Sequence, residues 1–149
     1  MGKKTSGKGL GLRTWLALLT FGLIGQVAWV VENMYFNVFL YNTITGDADK
    51  IAAMVALSAV VAAVTTLAMG ALSDKLGRRK RFIVGGYLLW GLSVMAFALV
   101  SVQGLEKLMP AAAAVQTAAV IVIALDCVMT FFGSAASDAA FNAWVTDVT

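Results

Sequence analysis

The stretch that decides the fold reads Gly70-Ala-Leu-Ser-Asp74-Lys-Leu-Gly77-Arg78-Arg79-Lys80-Arg81, and it separates two long apolar segments. From Lys75 onward it carries five cations in a space that allows only a tight turn. Gly77 can take the positive φ angle that reverses a chain. Because Lys and Arg concentrate in the cytoplasmic loops of membrane proteins, this turn is expected to join two spanning helices on the cytoplasmic side.

The composition indicates a membrane protein. The 149 residues are 60% hydrophobic and 13% charged, whereas soluble domains average roughly 45–50% and about 25%. Windows 51–73, 83–102 and 108–125 contain no charged residue, and a fourth, 14–31, continues past Glu32. Each is close to the ~20 residues that cross a bilayer. The sequence therefore predicts an all-α membrane protein with a tail at 1–13 and four helices at about 14–41, 50–73, 81–102 and 110–140.

The cations fix the predicted orientation. They cluster before the first helix and in the 70–81 turn, with Lys50 and Lys107 elsewhere. By the positive-inside rule, both termini are expected in the cytoplasm of a multi-pass protein of the cell membrane, with outer loops at 42–50 and 103–110. The same clustering argues against a nucleic-acid partner, and the lipid bilayer is the first partner that the sequence implies.

The 70–81 turn resembles motif A of the major facilitator superfamily, the loop between its second and third membrane helices. The matching residues are Gly70, Leu72, Ser73, Asp74, Lys75, Gly77, Arg78, Arg79 and Lys80. The resemblance implies that this chain supplies helices one to four of the N-terminal six-helix bundle of a twelve-helix transporter. It also implies secondary active transport by alternating access, with Gly70, Asp74, Gly77, Arg78 and Arg79 forming a latch that holds the two halves of the transporter together. Gly70 is expected to admit a second helix at close range.

Residues 138–149 are similar to the fourth-helix segment of sugar:cation symporters related to the melibiose permease, with Asp138, Phe141 and Thr149 matching. This resemblance favours a sugar or glycoside as the solute. Thr66 and Ala62 stand where that subfamily has acidic residues in helix two. A proton is therefore favoured over sodium as the coupling ion.

Polar residues within the apolar segments are the candidates for ion coupling or solute binding. A carboxylate at the bilayer centre costs about 2.5–3.5 kcal/mol on insertion scales, so it usually faces a cavity or a partner. Helix one also has a polar stripe, because spacings of seven and four residues share one helical face. The candidates are Glu32, Asp126 and Asp138, with Gln26, Asn33 and Asn37 on the stripe. The alternative for each carboxyl group is a structural role, hydrogen-bonded between helices.

Other classes of function lack a signature. The sequence has no histidine and no phosphate-binding Gly-x-x-x-x-Gly-Lys-(Ser/Thr) loop, and it predicts no catalytic residue, cofactor or metal. Two alternatives stay open: a dimeric small multidrug exporter that uses Glu32, and a membrane scaffold. The end of the chain at Thr149, just past the fourth helix, suggests a fragment that works with a missing C-terminal half or an oligomeric partner.

Overall fold

The computed structural model describes residues 11–77 and 79–148, and these confirm the all-α class. Four helices are long and apolar enough to cross a membrane: α1 (Leu12–Ile44), α2 (Ala48–Leu76), α3 (Arg79–Leu99) and α5 (Ala111–Asp147). A short helix, α4 (Val102–Glu106), lies in the loop between α3 and α5. At 33 and 37 residues, α1 and α5 are about 50 and 55 Å long, so they must tilt or protrude from a hydrocarbon core of about 30 Å.

Helix α5 forms the centre of the bundle. It packs along α2 and α3, and 44% of its most hydrophobic window is buried, compared with 6% in α1. The buried face of α5 consists largely of alanine and glycine, including Ala114, Ala118, Ala119, Gly133, Ala136 and Ala140. Small side chains let helix backbones approach closely, and van der Waals packing then replaces the hydrophobic effect that lipid cannot supply.

A very close contact joins α3 to α5. A Cβ atom on Gly86 would lie 2.6 Å from the Cβ of Ala136 and 3.3 Å from the carbonyl oxygen of Phe132. One turn further along, the Trp90 ring lies on Gly133, where an added Cβ would meet the ring at 3.1 Å. A methyl group at Gly86 would therefore force the helices to shift, and one at Gly133 would crowd the Trp90 ring, as is usual for small residues at close helix pairs in membranes.

Two of the spanning helices contain π-helical segments. Leu40–Ile44 closes the C-terminal end of α1, and Ser134–Phe141 interrupts α5 near its C-terminal end. The second segment is almost entirely buried and contacts both α2 and α3. Each π turn rotates the side chains that follow it relative to a regular α-helix. The α-helical pattern read from the sequence therefore does not hold over 134–141.

Both ends of α2 are capped. Gly77 ends α2 with φ +60°, and its N–H bonds to the Ser73 carbonyl at 3.0 Å. This is the left-handed cap that glycine favours. Asp47 caps the start of α2 through the Asp49 amide at 3.0 Å. Beside this end, the Lys50 ammonium donates to Gln116 of α5 at 2.6 Å.

The close approach expected at Gly70 is absent from the described part of the chain. Apart from its chain neighbours and the nearby backbone of α2, no heavy atom of the described residues lies within 4 Å of the place where a Gly70 Cβ would be. The reason is geometric: α5 meets α2 and α3 along other faces, so Gly70 remains on an open side of α2. Arg78, one of the predicted latch residues, lies outside the described residues.

Candidate functional site

A cavity of about 190 Å³ lies between α1, α2 and α5. It contains three of the residues singled out in the sequence, namely Asn33, Asn37 and Asp126. The rest of the wall is formed by Trp29, Phe36, Met54, Val55, Ser58, Ala59, Ala62 and Thr130. Aromatic and aliphatic surface thus surrounds a small group of polar side chains, which is the usual composition of a small-molecule site.

Asp126 is the charged group of this cavity. Its side chain is buried, with 7% of the residue exposed, and it accepts a hydrogen bond from the Ser58 hydroxyl across the α2–α5 contact. Among residues 11–77 and 79–148, no Lys or Arg forms an ion pair with it. Thr130, one helical turn further along α5, lines the same wall. A carboxylate that is buried without a cation can exchange a proton or bind a hydroxyl donor.

The two asparagines of α1 present acceptors to the cavity. The Asn33 amide nitrogen donates to the Trp29 carbonyl at 2.8 Å, and that of Asn37 donates to the Asn33 carbonyl at 2.7 Å. The side-chain oxygen of Asn37 is buried and has no hydrogen-bond partner among the residues that the structure describes. A buried amide oxygen without a partner is unfavourable, so a donor from a solute would stabilise it.

Glu32 faces a different space. Its carboxylate accepts a hydrogen bond from the Trp90 indole at 2.7 Å, which ties α1 to α3. It lines a second cavity of about 270 Å³ together with Phe36, Phe39 and Phe97. The separation follows from helix geometry, because neighbouring residues on a helix point about 100° apart. Asn33 and Glu32 therefore lie on opposite sides of Phe36, whose ring forms part of both walls.

Two further candidates are not brought to the Asp126 cavity. Gln26 is exposed and lies seven residues before Asn33, about 10 Å along the helix at 1.5 Å per residue. Asp138 is half-buried in the π segment, where its carboxylate interacts with Ser134. The predicted set of six thus divides among four places, and only Asn33, Asn37 and Asp126 share one cavity.

At the end of the bundle that holds the 70–81 turn, Arg79 joins three helices. One guanidinium nitrogen lies 2.7 Å from the Asp74 carboxylate of α2, and the other lies 2.8 Å from the Asp147 carboxylate of α5. The guanidinium also donates to the Ala143 carbonyl. These residues line a cleft of about 540 Å³ that opens between α2, α3 and α5. The planar guanidinium, with donors on two edges, suits this two-sided contact in a way that an ammonium group does not.

Three residues at these sites were not predicted from the sequence, namely Ser58, Thr130 and Asp147. Ser58 is the one polar residue between Lys50 and Thr65, and Thr130 follows Asp126 at the i+4 spacing. Both signals were therefore available, since i and i+4 share a helical face. Asp147 had no comparable signal, because its approach to Arg79 depends on how far α5 continues and on its π segment.

One comparison with known proteins identifies a relationship. The family model described as MFS/sugar transport protein matches residues 5–149, nearly the whole chain. No curated protein and no solved structure matches at a significant level. The family match confirms the major facilitator resemblance of the 70–81 turn, and it points to a multi-pass transporter rather than an enzyme. The closer likeness to the melibiose permease stays a prediction.

Proposed function

The chain belongs to the MFS/sugar transport protein family, and from that premise we propose that it binds a sugar or glycoside in the Asp126 cavity and carries it by proton-coupled alternating access. The observation that carries this proposal is the composition of the cavity. Hydroxyl donors from Ser58 and Thr130, acceptors from Asn37 and Asp126, and the Trp29 ring border one space.

This composition suits a polyhydroxy solute. A sugar has hydroxyl groups that both donate and accept, and it has C–H faces that pack on aromatic rings. The Asn37 oxygen without a partner offers an acceptor, and the Ser58 and Thr130 hydroxyls can reorient to donate or accept. A site with unpaired polar groups discriminates strongly in favour of ligands that complete its hydrogen bonds.

Asp126 is the proposed proton carrier. It is the buried carboxylate of the cavity, and its described partner is a hydroxyl group rather than a cation. In an apolar bundle the neutral carboxylic acid has the lower free energy. The carboxylate anion needs hydrogen-bond donors, such as Ser58 or a bound solute, to be stable there. Solute binding and proton binding would therefore change each other's affinity at one carboxyl group. The size of this mutual effect is the coupling free energy between the two ligands.

The cavity is also smaller than a complete site. Its 190 Å³ lies below the roughly 300–1,000 Å³ of typical ligand pockets. Gln26 and Asn33 are exposed on α1, and polar side chains facing lipid are unfavourable. Both facts support our proposal that further helices, from a C-terminal half or an oligomeric partner, complete the site beside α1. The motif A turn would then act as the cytoplasmic latch against those helices.

A solute-protection experiment tests the location of the site. In a Cys127→Ser background, Ala62→Cys places the chain's single thiol on the cavity wall, since Cys127 is the one native cysteine. We expect at least one member of a panel of hexoses and methyl glycosides to slow the reaction of this thiol with N-ethylmaleimide several-fold.

The matched control is Gly46→Cys in the exposed outer turn, whose reaction rate should not change with solute. If no member of the panel alters the rate at position 62, or if both thiols slow equally, the cavity does not bind this class of solute.

A further inference from the structure

The cavity beside Glu32 has a composition unlike that of the Asp126 cavity. It measures about 270 Å³ and lies between α1 and α3. Its walls are otherwise apolar or aromatic, formed by Val31, Tyr35, Phe36, Phe39, Val94, Phe97 and Ala98. Glu32 is the single charged group among these lining residues. No hydroxyl or amide cluster is available here to bind the oxygen atoms of a sugar.

The rings form a continuous aromatic wall. Phe36 and Phe97 lie with their centroids 4.0 Å apart at an interplanar angle of 30°. Phe39 meets Phe97 edge-on at 6.5 Å, and Tyr35 meets Phe36 edge-on at 5.8 Å. The face of an aromatic ring carries negative electrostatic potential, and clusters of such rings bind quaternary ammonium groups.

The carboxylate at the end of this wall is only partly satisfied. The Trp90 indole donates to one Glu32 oxygen. Within residues 11–77 and 79–148, the second oxygen has no hydrogen bond, and no Lys or Arg pairs with the carboxylate. A carboxylate in an apolar membrane site is stabilised by a partner of opposite charge.

We propose that the cavity between α1 and α3 binds a monovalent organic cation, a tertiary or quaternary ammonium group carrying an apolar substituent. The ammonium would pair with Glu32, and the substituent would pack against Phe36, Phe39 and Phe97. A metal ion fits poorly, because one carboxylate cannot supply the six to eight oxygen ligands of Ca²⁺. The site is separate from the proposed solute site, although the Phe36 ring borders both cavities.

The test measures binding of benzyltrimethylammonium to the purified protein in detergent, by equilibrium dialysis. We expect saturable binding to the unmodified protein and much weaker binding of neopentylbenzene, the uncharged compound of the same shape. Glu32→Gln keeps an acceptor for Trp90 but removes the charge, and it should weaken binding by about tenfold or more. Phe97→Leu keeps the apolar volume but removes a ring, and it should weaken binding about two- to fivefold.

The matched control is Asp138→Asn, which removes another half-buried carboxylate that lines neither cavity. It should leave binding of benzyltrimethylammonium unchanged. Equal binding of the cation by Glu32→Gln and by the unmodified protein would overturn the proposal. So would binding of neopentylbenzene as tight as that of the cation, because the cavity would then be merely hydrophobic.

A folding defect would not obscure the result. If Glu32→Gln loses its helical circular dichroism, Glu32→Asp replaces it as a variant that keeps the charge and should keep binding the cation. The comparison of benzyltrimethylammonium with neopentylbenzene on the unmodified protein still shows whether binding requires the positive charge. The outcome is also independent of solute binding, since a sugar that protects Ala62→Cys and a cation that needs Glu32 are measured on different variants.

Discussion

Arg79 shows how one side chain can connect three helices at a membrane surface. Its two terminal nitrogens contact carboxylates that are 73 residues apart in sequence, those of Asp74 and Asp147. Both carboxylates are more than half exposed, at 60% and 55%. The contribution to stability is therefore modest, about 1 kcal/mol for the pairs together. The larger consequence is that these contacts hold the ends of α2 and α5 together. The two ends can separate only if the contacts break.

Arg79→Lys tests whether this two-sided contact matters. Lysine keeps the positive charge but cannot reach both carboxylates with a planar fork. We expect Arg79→Lys to lower the thermal midpoint in detergent nearly as much as Arg79→Gln does, and to lower the transport rate more than the apparent solute affinity. The matched control is Lys75→Gln, an exposed cation of the same turn that has no ion pair among the described residues. If Arg79→Lys behaves like the unmodified protein, charge alone accounts for the role of Arg79.

Some site residues can be predicted from sequence because the bilayer makes them conspicuous. Asp126, Asn33 and Asn37 stand out against an apolar background, and the structure places all three on one cavity. Glu32 stands out equally, yet it faces α3 and Trp90. Which neighbour a polar side chain meets depends on helix rotation and crossing, and neither quantity is encoded in residue type at that position.

At the scale of the helices, α5 organises the bundle through small residues. Its buried alanines and glycines lie on the side that packs against α2 and α3. A much smaller part of α1 is buried in the bundle. The number and approximate position of the spanning helices follow from hydropathy, because every apolar run must form hydrogen bonds internally within the membrane. The π segment at Ser134–Phe141 was not predicted. No residue type specifies a π turn, and its stability depends on packing against α2 and α3.

The contact between α3 and α5 allows a sharp test of packing. Gly86→Ala would place a methyl group 2.6 Å from the Ala136 Cβ. Overpacking of this kind costs about 1–3 kcal/mol, so the midpoint of thermal or SDS-induced unfolding should fall clearly. Gly85→Ala is the matched control, because, apart from its chain neighbours and the nearby backbone of α3, no heavy atom in the described part of the chain lies within 4 Å of its added Cβ. A Gly86→Ala protein as stable as Gly85→Ala would show that α3 and α5 are not in close contact at this point.

At the scale of the whole molecule, orientation in the membrane is still a prediction. The cation-rich turn after Leu76 is expected inside, and the loops near Gly46 and Gly104 are expected outside. In a Cys127→Ser background, Gly46→Cys and Gly104→Cys should react with a membrane-impermeant maleimide on intact cells. Lys75→Cys should react only after permeabilisation.

This labelling also separates the two classes of transporter. A major facilitator protein should show one orientation. Dual labelling of Lys75→Cys and Gly46→Cys on intact cells would instead favour the alternative of a dimeric small exporter that inserts in both directions.

Asp126 is the residue at which we propose that solute and proton meet. The direct measurement is uptake of a glycoside into proteoliposomes containing the reconstituted transporter, with and without an inward proton gradient, comparing Asp126→Asn with the unmodified protein. Asparagine preserves the acceptor for Ser58 but cannot take up a proton. Asp49→Asn, in the exposed first turn of α2, is the control for loss of a carboxylate elsewhere. We predict that Asp126→Asn loses uptake driven by the gradient but still exchanges solute across the membrane at equal pH. Proton-driven uptake by Asp126→Asn at the unmodified rate would contradict the account.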